Sequence, residues 1–301
     1  MHRNISLSEL EHLLEFAPCV LYKYVLFPNG EGSLLYVSAG STDLLGLHAK
    51  DMVDDIDNFW NIVYPIDLER LQAEDNSANQ QGDFFVSDVR INNPAKGMIW
   101  VRLSSKPSDE FYEGHQVWTG YMVDITDTKR LEAELEERAR RDAMTQLWNK
   151  SEIVSALGDA LSRFERDNQP FSIMLMDLDH FKAINDNYGH LVGDDVLLKF
   201  TEIASSELRE VDILGRFGGE EFLAIIHNAS QEETRVLAER IRQTVEKTYF
   251  TEDTITFSIT VSIGITEIKK IQKQSPEEVI RRADDALYQA KQDGRNTIRF
   301  K

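Results

Sequence analysis

The sequence predicts an α+β chain in two unlike parts. An antiparallel sheet with short helices comes first, then a helical linker, then an antiparallel-rich sheet flanked by longer helices. Three observations predict this. Residues 18–123 place two strand-like runs, a stretch of short helical signals and three more strand-like runs in that order. Residues 127–141 are almost wholly helix-forming and highly charged. From residue 150 onward, helical and strand patterns alternate in element-sized pieces. A chain of 301 residues is long enough to build two separate cores.

The N-terminal elements follow from local signals. Residues 8–16 have helical spacing with Ser8 as a cap. Residues 20–27 run apolar or alternate, and Pro28, Asn29 and Gly30 mark a turn before a returning strand at 34–37. Short helices follow up to about residue 81, with Ser41, Thr42 and Asp43 capping one and residues 67–71 inside another. Strands are expected at 84–91, 98–104 and 116–123, the first two joined by a hairpin loop at 92–97. In the linker, Leu131, Leu135 and Ala139 are each four apart, a narrow apolar stripe. It fits either a solvated connecting helix or a short parallel coiled coil between two subunits.

The second half reads as helix 150–166, strand 171–176, helix 192–208, a glycine hairpin with its strands, helix 231–247, strand 256–266 and helix 276–292. Pro276 falls in the first turn of the last helix, where its missing N–H costs nothing, and Gly294 lies just past its end.

Composition narrows the function. The formal net charge is −19, which argues against nucleic-acid backbone or an anionic membrane as a partner. The single cysteine, Cys19, excludes an internal disulfide, fits a reducing compartment and is expected to be buried packing. No apolar run reaches spanning length and no signal-peptide core follows Met1, so a cytoplasmic location is expected.

The chemistry concentrates in two acidic segments. Residues 172–176 read as a buried strand ending in Asp177, and residues 222–226 read as another, entered from Gly218-Gly219-Glu220-Glu221. The paired glycines suit a tight hairpin through their freedom at positive φ. If the strands are neighbours, Asp177 and Glu220 meet at the sheet edge. They would then repel unless one is protonated or a cation lies between them. An oxygen-only cluster suits magnesium.

These segments, together with Asn185-Asp186, Tyr188-Gly189-His190, Gly193-Asp194, Tyr288 to Lys291 and Gly294-Arg295-Asn296, resemble the GGDEF domain of diguanylate cyclases over residues 142–301. The order of elements before them, closed by Asp124-Ile125-Thr126, resembles a PAS domain over residues 1–126, which leaves 127–141 as linker. The resemblance implies a palm-like catalytic fold and a homodimer that condenses two GTP into cyclic di-GMP and two pyrophosphates. Asp177, the Leu178 carbonyl, Glu220 and Glu221 would hold Mg²⁺, with Mn²⁺ as the alternative ion. Glu220 is also the candidate to accept the 3′-hydroxyl proton. Asn185 and Asp194 would read guanine, since a carboxylate pairs with its N1–H and amino group and is left unpaired by adenine. Phe181, Lys182, Lys291 and Arg295 would contact phosphate, and His190 would shape the loop beside the substrate. Arg209 and Asp212, with Arg240, match an inhibitory product site.

Two features depart from the pattern or stay open. In the entry segment 142–150, Gln146 stands where the family has a turn glycine and Lys150 where it has Arg. No histidine pattern singles out haem, Cys19 lies outside any flavin-adduct context, and Trp60, Trp100 and Trp118 read as core, so the ligand of the first domain is unknown. A receptor that binds cyclic di-GMP without making it is the competing reading, and retention of Asp177, Glu220 and Glu221 weighs against it.

Overall fold

A computed structural model describes residues 17–28, 30–252, 255–269 and 274–301. The helix read at 8–16 lies outside them. The chain divides into two compact units, Met1–Glu134 and Leu135–Lys301.

In the first unit, β1 (Cys19–Leu26) and β2 (Gly32–Val37) pair antiparallel. Four helices follow: α1 (Ser41–Leu45), α2 (Ala49–Asp54), α3 (Asp57–Trp60) and α4 (Pro65–Gln81). Strands β3 (Phe85–Asn93), β4 (Gly97–Tyr112) and β5 (His115–Asp124) complete a sheet in the order β2-β1-β5-β4-β3. Its core takes Val20, Tyr22 and Tyr24 from β1, Val89 and Ile91 from β3 and Phe59 and Leu71 from the helices. The alternation of β3, with odd-numbered residues inside, is the period-two signal that made the strand legible.

Three details differ from expectation. The cap of α1 is Gly40, while Ser41 begins the helix and is fully buried. Strand β4 runs eight residues beyond 104 because it pairs with β5 past a register shift, a long-range contact with no local signal. Cys19, expected to be buried, is half-exposed at the start of β1.

Helix α5 (Thr126–Arg140) follows the first sheet, with Leu131 54% and Leu135 64% exposed. Its entry is fixed by Asp124, which accepts from the Thr126 N–H, and by the Thr126 hydroxyl, which accepts from Trp100 N–H.

The second unit is a three-layer sandwich. Its sheet orders as β12-β11-β6-β8-β7, from β6 (Phe171–Asp179), β7 (Ile213–Arg216), β8 (Glu221–His227), β11 (Thr260–Ile268) and β12 (Ile298–Phe300). All pairs are antiparallel except β11 with β12. A separate hairpin joins β9 (Tyr249–Glu252) to β10 (Ile255–Ser258), so the single strand expected at 256–266 is split. Helices α8 (His190–Glu207) and α9 (Gln231–Glu246) cover one face with Val196, Phe200 and Ile241. Helices α6 (Lys150–Asp167) and α10 (Pro276–Gln292) cover the other with Leu157, Val279 and Ala283. Short helix α7 (Phe181–Tyr188) leads from β6 into α8.

Every residue of β6 is buried, as a central strand covered on both faces requires. Its even members Met174, Met176 and Leu178 enter the α8/α9 core, and its odd members Phe171, Ile173 and Leu175 enter the α6/α10 core. Asp177 and Asp179 continue the odd series, so both carboxylates face the α10 side at the end of the sheet.

Candidate active site

Strand pairing brings the two acidic segments together. Asp177 is opposite Glu221 in the β6–β8 register, and Leu178 N–H donates to the Glu220 carbonyl at 3.3 Å. The turn from 217 to 220 closes with Phe217 and Gly218 N–H groups donating to the Glu221 carbonyl, at 2.8 and 3.1 Å. Neither Gly218 nor Gly219 takes a left-handed conformation, contrary to the reason given for them above. What Gly218 provides is room: a Cβ there would lie 2.5 Å from Glu221 Oε2. A Cβ on Gly219 would meet nothing within 4 Å.

Asp177 is only 7% exposed, and Lys291 Nζ, from the last turn of α10, sits 2.8 Å from its Oδ2. Burial pushes the Asp177 carboxyl above the ordinary range, and Lys291 offsets only part of that. Glu220 is also raised, first by burial and then by the Asp177 charge. Burial disfavours both anions, the Asp177 charge further disfavours that of Glu220, and a cation would relieve the site. Among the described residues no group of three or more His, Cys, Asp or Glu side chains converges as a ligand cage. Two carboxylates and a main-chain carbonyl nevertheless match magnesium, which draws its remaining ligands from water and phosphate.

The expected guanine pair spans two helices that meet at Gly189 (φ +85), which ends α7 and caps α8. Asn185 comes from α7, and its Oδ1 lies against Gly193, where any Cβ would collide with the amide. Asp194 is the next residue and is half-buried. His180 caps α7 in the left-handed region, and its carbonyl accepts from Ala183 and Ile184 N–H groups. The N–H groups of Phe181 and Lys182 therefore belong to the first turn, which lacks intrahelical partners. Phe181 is buried, whereas Lys182, His190 and Arg295 are exposed.

Arg209, Asp212 and Arg240 gather at the opposite end of β8. Arg209 pairs with Asp212 at 3.1 Å and donates to the His227 carbonyl at 2.8 Å, while Asp212 also accepts from His227 N–H. Arg240 pairs with Glu207 at 2.9 Å. These residues line a pocket of about 160 Å³. The length of β8 separates them from Glu221 by roughly 20 Å at ~3.3 Å per residue. The Asp212 side chain is fully buried and already satisfied, so the guanidinium groups are the accessible part of this pocket.

Some contributors were not singled out by the sequence. Arg216 donates to the Gly219 carbonyl at 3.1 and 2.7 Å and to Asp142 Oδ1 at 3.1 Å, tying the entry segment to the signature turn. Lys150, noted above where the family has Arg, lies 4.4 Å from the Phe217 ring centroid and reinforces the same link. Asp179 is 3% exposed and fully bonded. An Arg at the end of the strand before the turn, and an acid two residues after Asp177, were the signals available. In the first unit, Tyr22, Tyr24, Phe59, Trp60, Asp75 and Phe85 line a cavity of about 30 Å³.

A central strand ending in acids, apposed to an acidic glycine turn inside an α/β/α sandwich, defines a GGDEF-type nucleotide cyclase domain. The profile "Diguanylate cyclase, GGDEF domain" matches residues 139–297 and a "PAS fold" profile matches residues 34–122. The chain belongs to the GGDEF diguanylate cyclase family, with a PAS domain ahead of the catalytic one.

A diguanylate cyclase of Vibrio cholerae serotype O1 is 28% identical over 97% of this chain and 92% of its own length. Diguanylate cyclase A of Treponema denticola is 36% identical over 71% of this chain and 58% of its own. DgcM of Escherichia coli K12 is 39% identical over 58% of this chain, which spans 42% of that relative. Among solved structures, the coiled coil and GGDEF domain of Caulobacter crescentus DgcB in complex with c-di-GMP aligns with a TM-score of 0.54. It is 28% identical and covers 58% of this chain and 94% of that one. Among the described residues no helix is long and apolar enough to cross a membrane.

Proposed function

We propose that this chain condenses two GTP molecules into cyclic di-GMP, with residues 1–126 as sensor, 127–141 as linker and 142–301 as catalyst. The observation that carries the reading is the meeting of the two acidic segments at the strand ends, Asp177 opposite Glu221 and near enough to Glu220 for its charge to bear on it, with Lys291 2.8 Å from Asp177. In each half-reaction a 3′-hydroxyl oxygen forms a bond to the α-phosphorus of the other nucleotide. The bond from that phosphorus to the β-phosphate oxygen breaks, and pyrophosphate leaves.

Glu220, whose raised pKa favours proton uptake, accepts the hydroxyl proton. Asn185 and Asp194 orient guanine. Lys182, Arg295 and the first-turn N–H groups of α7 hold phosphate, and Lys291 moves from Asp177 to phosphate when substrate binds. Asp177, Glu220 and the Leu178 carbonyl would hold Mg²⁺ or Mn²⁺, with Glu221 assisting; bound there, the ion neutralises phosphate charge and acidifies the attacking hydroxyl.

Arg209 and Arg240 are the proposed grip for product in the pocket at the far end of β8. One catalytic domain offers one guanine site and the reaction consumes two nucleotides, so two copies must face each other.

Incubating the full chain with GTP and Mg²⁺, with nucleotides resolved by chromatography, tests the reading. Cyclic di-GMP is expected from the wild type, and Glu220→Ala should reduce its formation by a factor on the order of 10² or more. Undiminished synthesis by Glu220→Ala would remove that residue from the chemistry.

A further inference from the structure

Asp179, the last residue of β6, is more deeply buried than Asp177 and touches no cation among its bonded partners. Three neutral donors converge on its carboxylate. Ser262 Oγ donates to Oδ1 at 2.7 Å, Thr260 Oγ1 donates to Oδ2 at 2.7 Å, and the backbone N–H of Asn296 donates to Oδ2 at 3.0 Å. The hydroxyls come from the neighbouring strand, where Thr260 is directly opposite Asp179. The third donor comes from across the fold and is the one with consequences.

Asn296 ends a strained turn. After Gly294 at φ +108, both Arg295 (φ +65) and Asn296 (φ +45) are left-handed. For L-residues other than glycine this conformation costs on the order of 1 kcal/mol or more each, and two in succession persist only when surrounding bonds hold them. Those bonds are present. Asp179 holds the backbone of Asn296, Arg242 donates to its Oδ1 at 2.7 Å, and its Nδ2 donates to Glu246 at 2.7 Å. The residue carried on this turn is Arg295, close enough to Asp177 for its charge to bear on that carboxylate.

We infer that Asp179 is a positioning residue for the cyclase reaction: it fixes the left-handed turn that carries Arg295 near Asp177. The inference rests on the reading of Arg295 as a phosphate contact. A carboxylate suits the task because it offers acceptors only. An amide could replace it at modest cost, with its oxygen toward Thr260 and Asn296 and its NH₂ toward Ser262, whose hydroxyl can turn to accept. A methyl leaves three donors without a partner.

The test compares KM for GTP in the full chain carrying Arg295→Ala, Asp179→Ala, both, or Asp179→Asn. Each alanine variant is expected to raise KM about tenfold, the loss of one charge-assisted contact. The double variant should be no worse than Arg295→Ala, and Asp179→Asn should recover most of the loss. If Asp179→Ala does not melt cooperatively, Asp179→Val, which fills more of the space and likewise offers Asn296 no acceptor, makes the same comparison. Factors that multiply in the double variant, or a lowered Tm with KM unchanged, would overturn the positioning role. An unchanged KM in Arg295→Ala alone would instead remove the phosphate reading of Arg295, and this role with it.

Discussion

Single residues in this chain are governed by what burial does to charge. Asp75, on α4, lines the apolar cavity of the PAS domain, accepts from the Tyr24 hydroxyl at 2.9 Å and is pushed up by burial to about 6. Its unfolded value is near 3.8, so between about pH 4 and pH 6 the native state holds a proton that the unfolded chain has released. Stability therefore falls as pH rises through that window, and the penalty is complete above it. Its size is about 2–3 kcal/mol. Asp75→Asn keeps an acceptor for Tyr24 and removes the titration. The variant is expected to melt above the wild type at pH 7, with the gap closing by pH 4; an equal gap at both values would refute this account. The active-site acids lie under the same pressure, yet Asp177 has Lys291 beside it whereas Asp75 accepts from the neutral Tyr24 and Asn79 side chains.

At the level of elements, the two ends of β8 carry different chemistry. The Glu221 end meets Asp177, and the His227 end is held by Arg209 and Asp212. Because Asp212 is saturated, Arg209→Ala should weaken cyclic di-GMP binding at least ~10-fold in a calorimetric titration, the cost of one charged contact. Unaltered binding would place the product site elsewhere.

The segment leading into α6 offers a second test. Gln146 has φ +58, the conformation that a glycine takes without strain. Its side chain donates to the Ala143 carbonyl at 2.9 Å and recovers part of the cost. Gln146→Gly is expected to stabilise the catalytic unit by about 0.5–1 kcal/mol, a rise of ~1–4 °C in its melting transition. A fall in that transition would show that the amide contact outweighs the strain.

For the whole molecule, the stoichiometry of the reaction sets the requirement. Under the proposed reaction two nucleotides meet only when two catalytic domains do, and exposed Leu131 and Leu135 give α5 an apolar stripe available to a second copy. Specific activity is accordingly expected to fall on dilution in step with the dimer fraction measured by sedimentation. Constant activity at concentrations where the chain is monomeric would exclude a dimeric catalyst. The net charge of −19 opposes both self-association and the approach of GTP, so activity should also depend on ionic strength.

Much of the fold was legible because each element carries its own periodicity and punctuation. Strand β3 alternates, β6 is apolar up to its acids, and Pro276 and Gly294 bracket α10 as read. The short edge strand β12 was not legible, since three residues hold too little pattern and it exists because the longer β11 pairs with it. The acidic motif was likewise visible in the residues, and the family relation follows from it.

The partners of those residues were not visible. Lys291 on Asp177, Arg216 bridging to Asp142 across 74 residues, and Asp179 reaching Asn296 across 117 are contacts between distant segments. Local propensity acts over a few residues, so it can place an acid at a strand tip. Which cation lies beside that acid, and which turn it holds, depends on how the strands and helices pack.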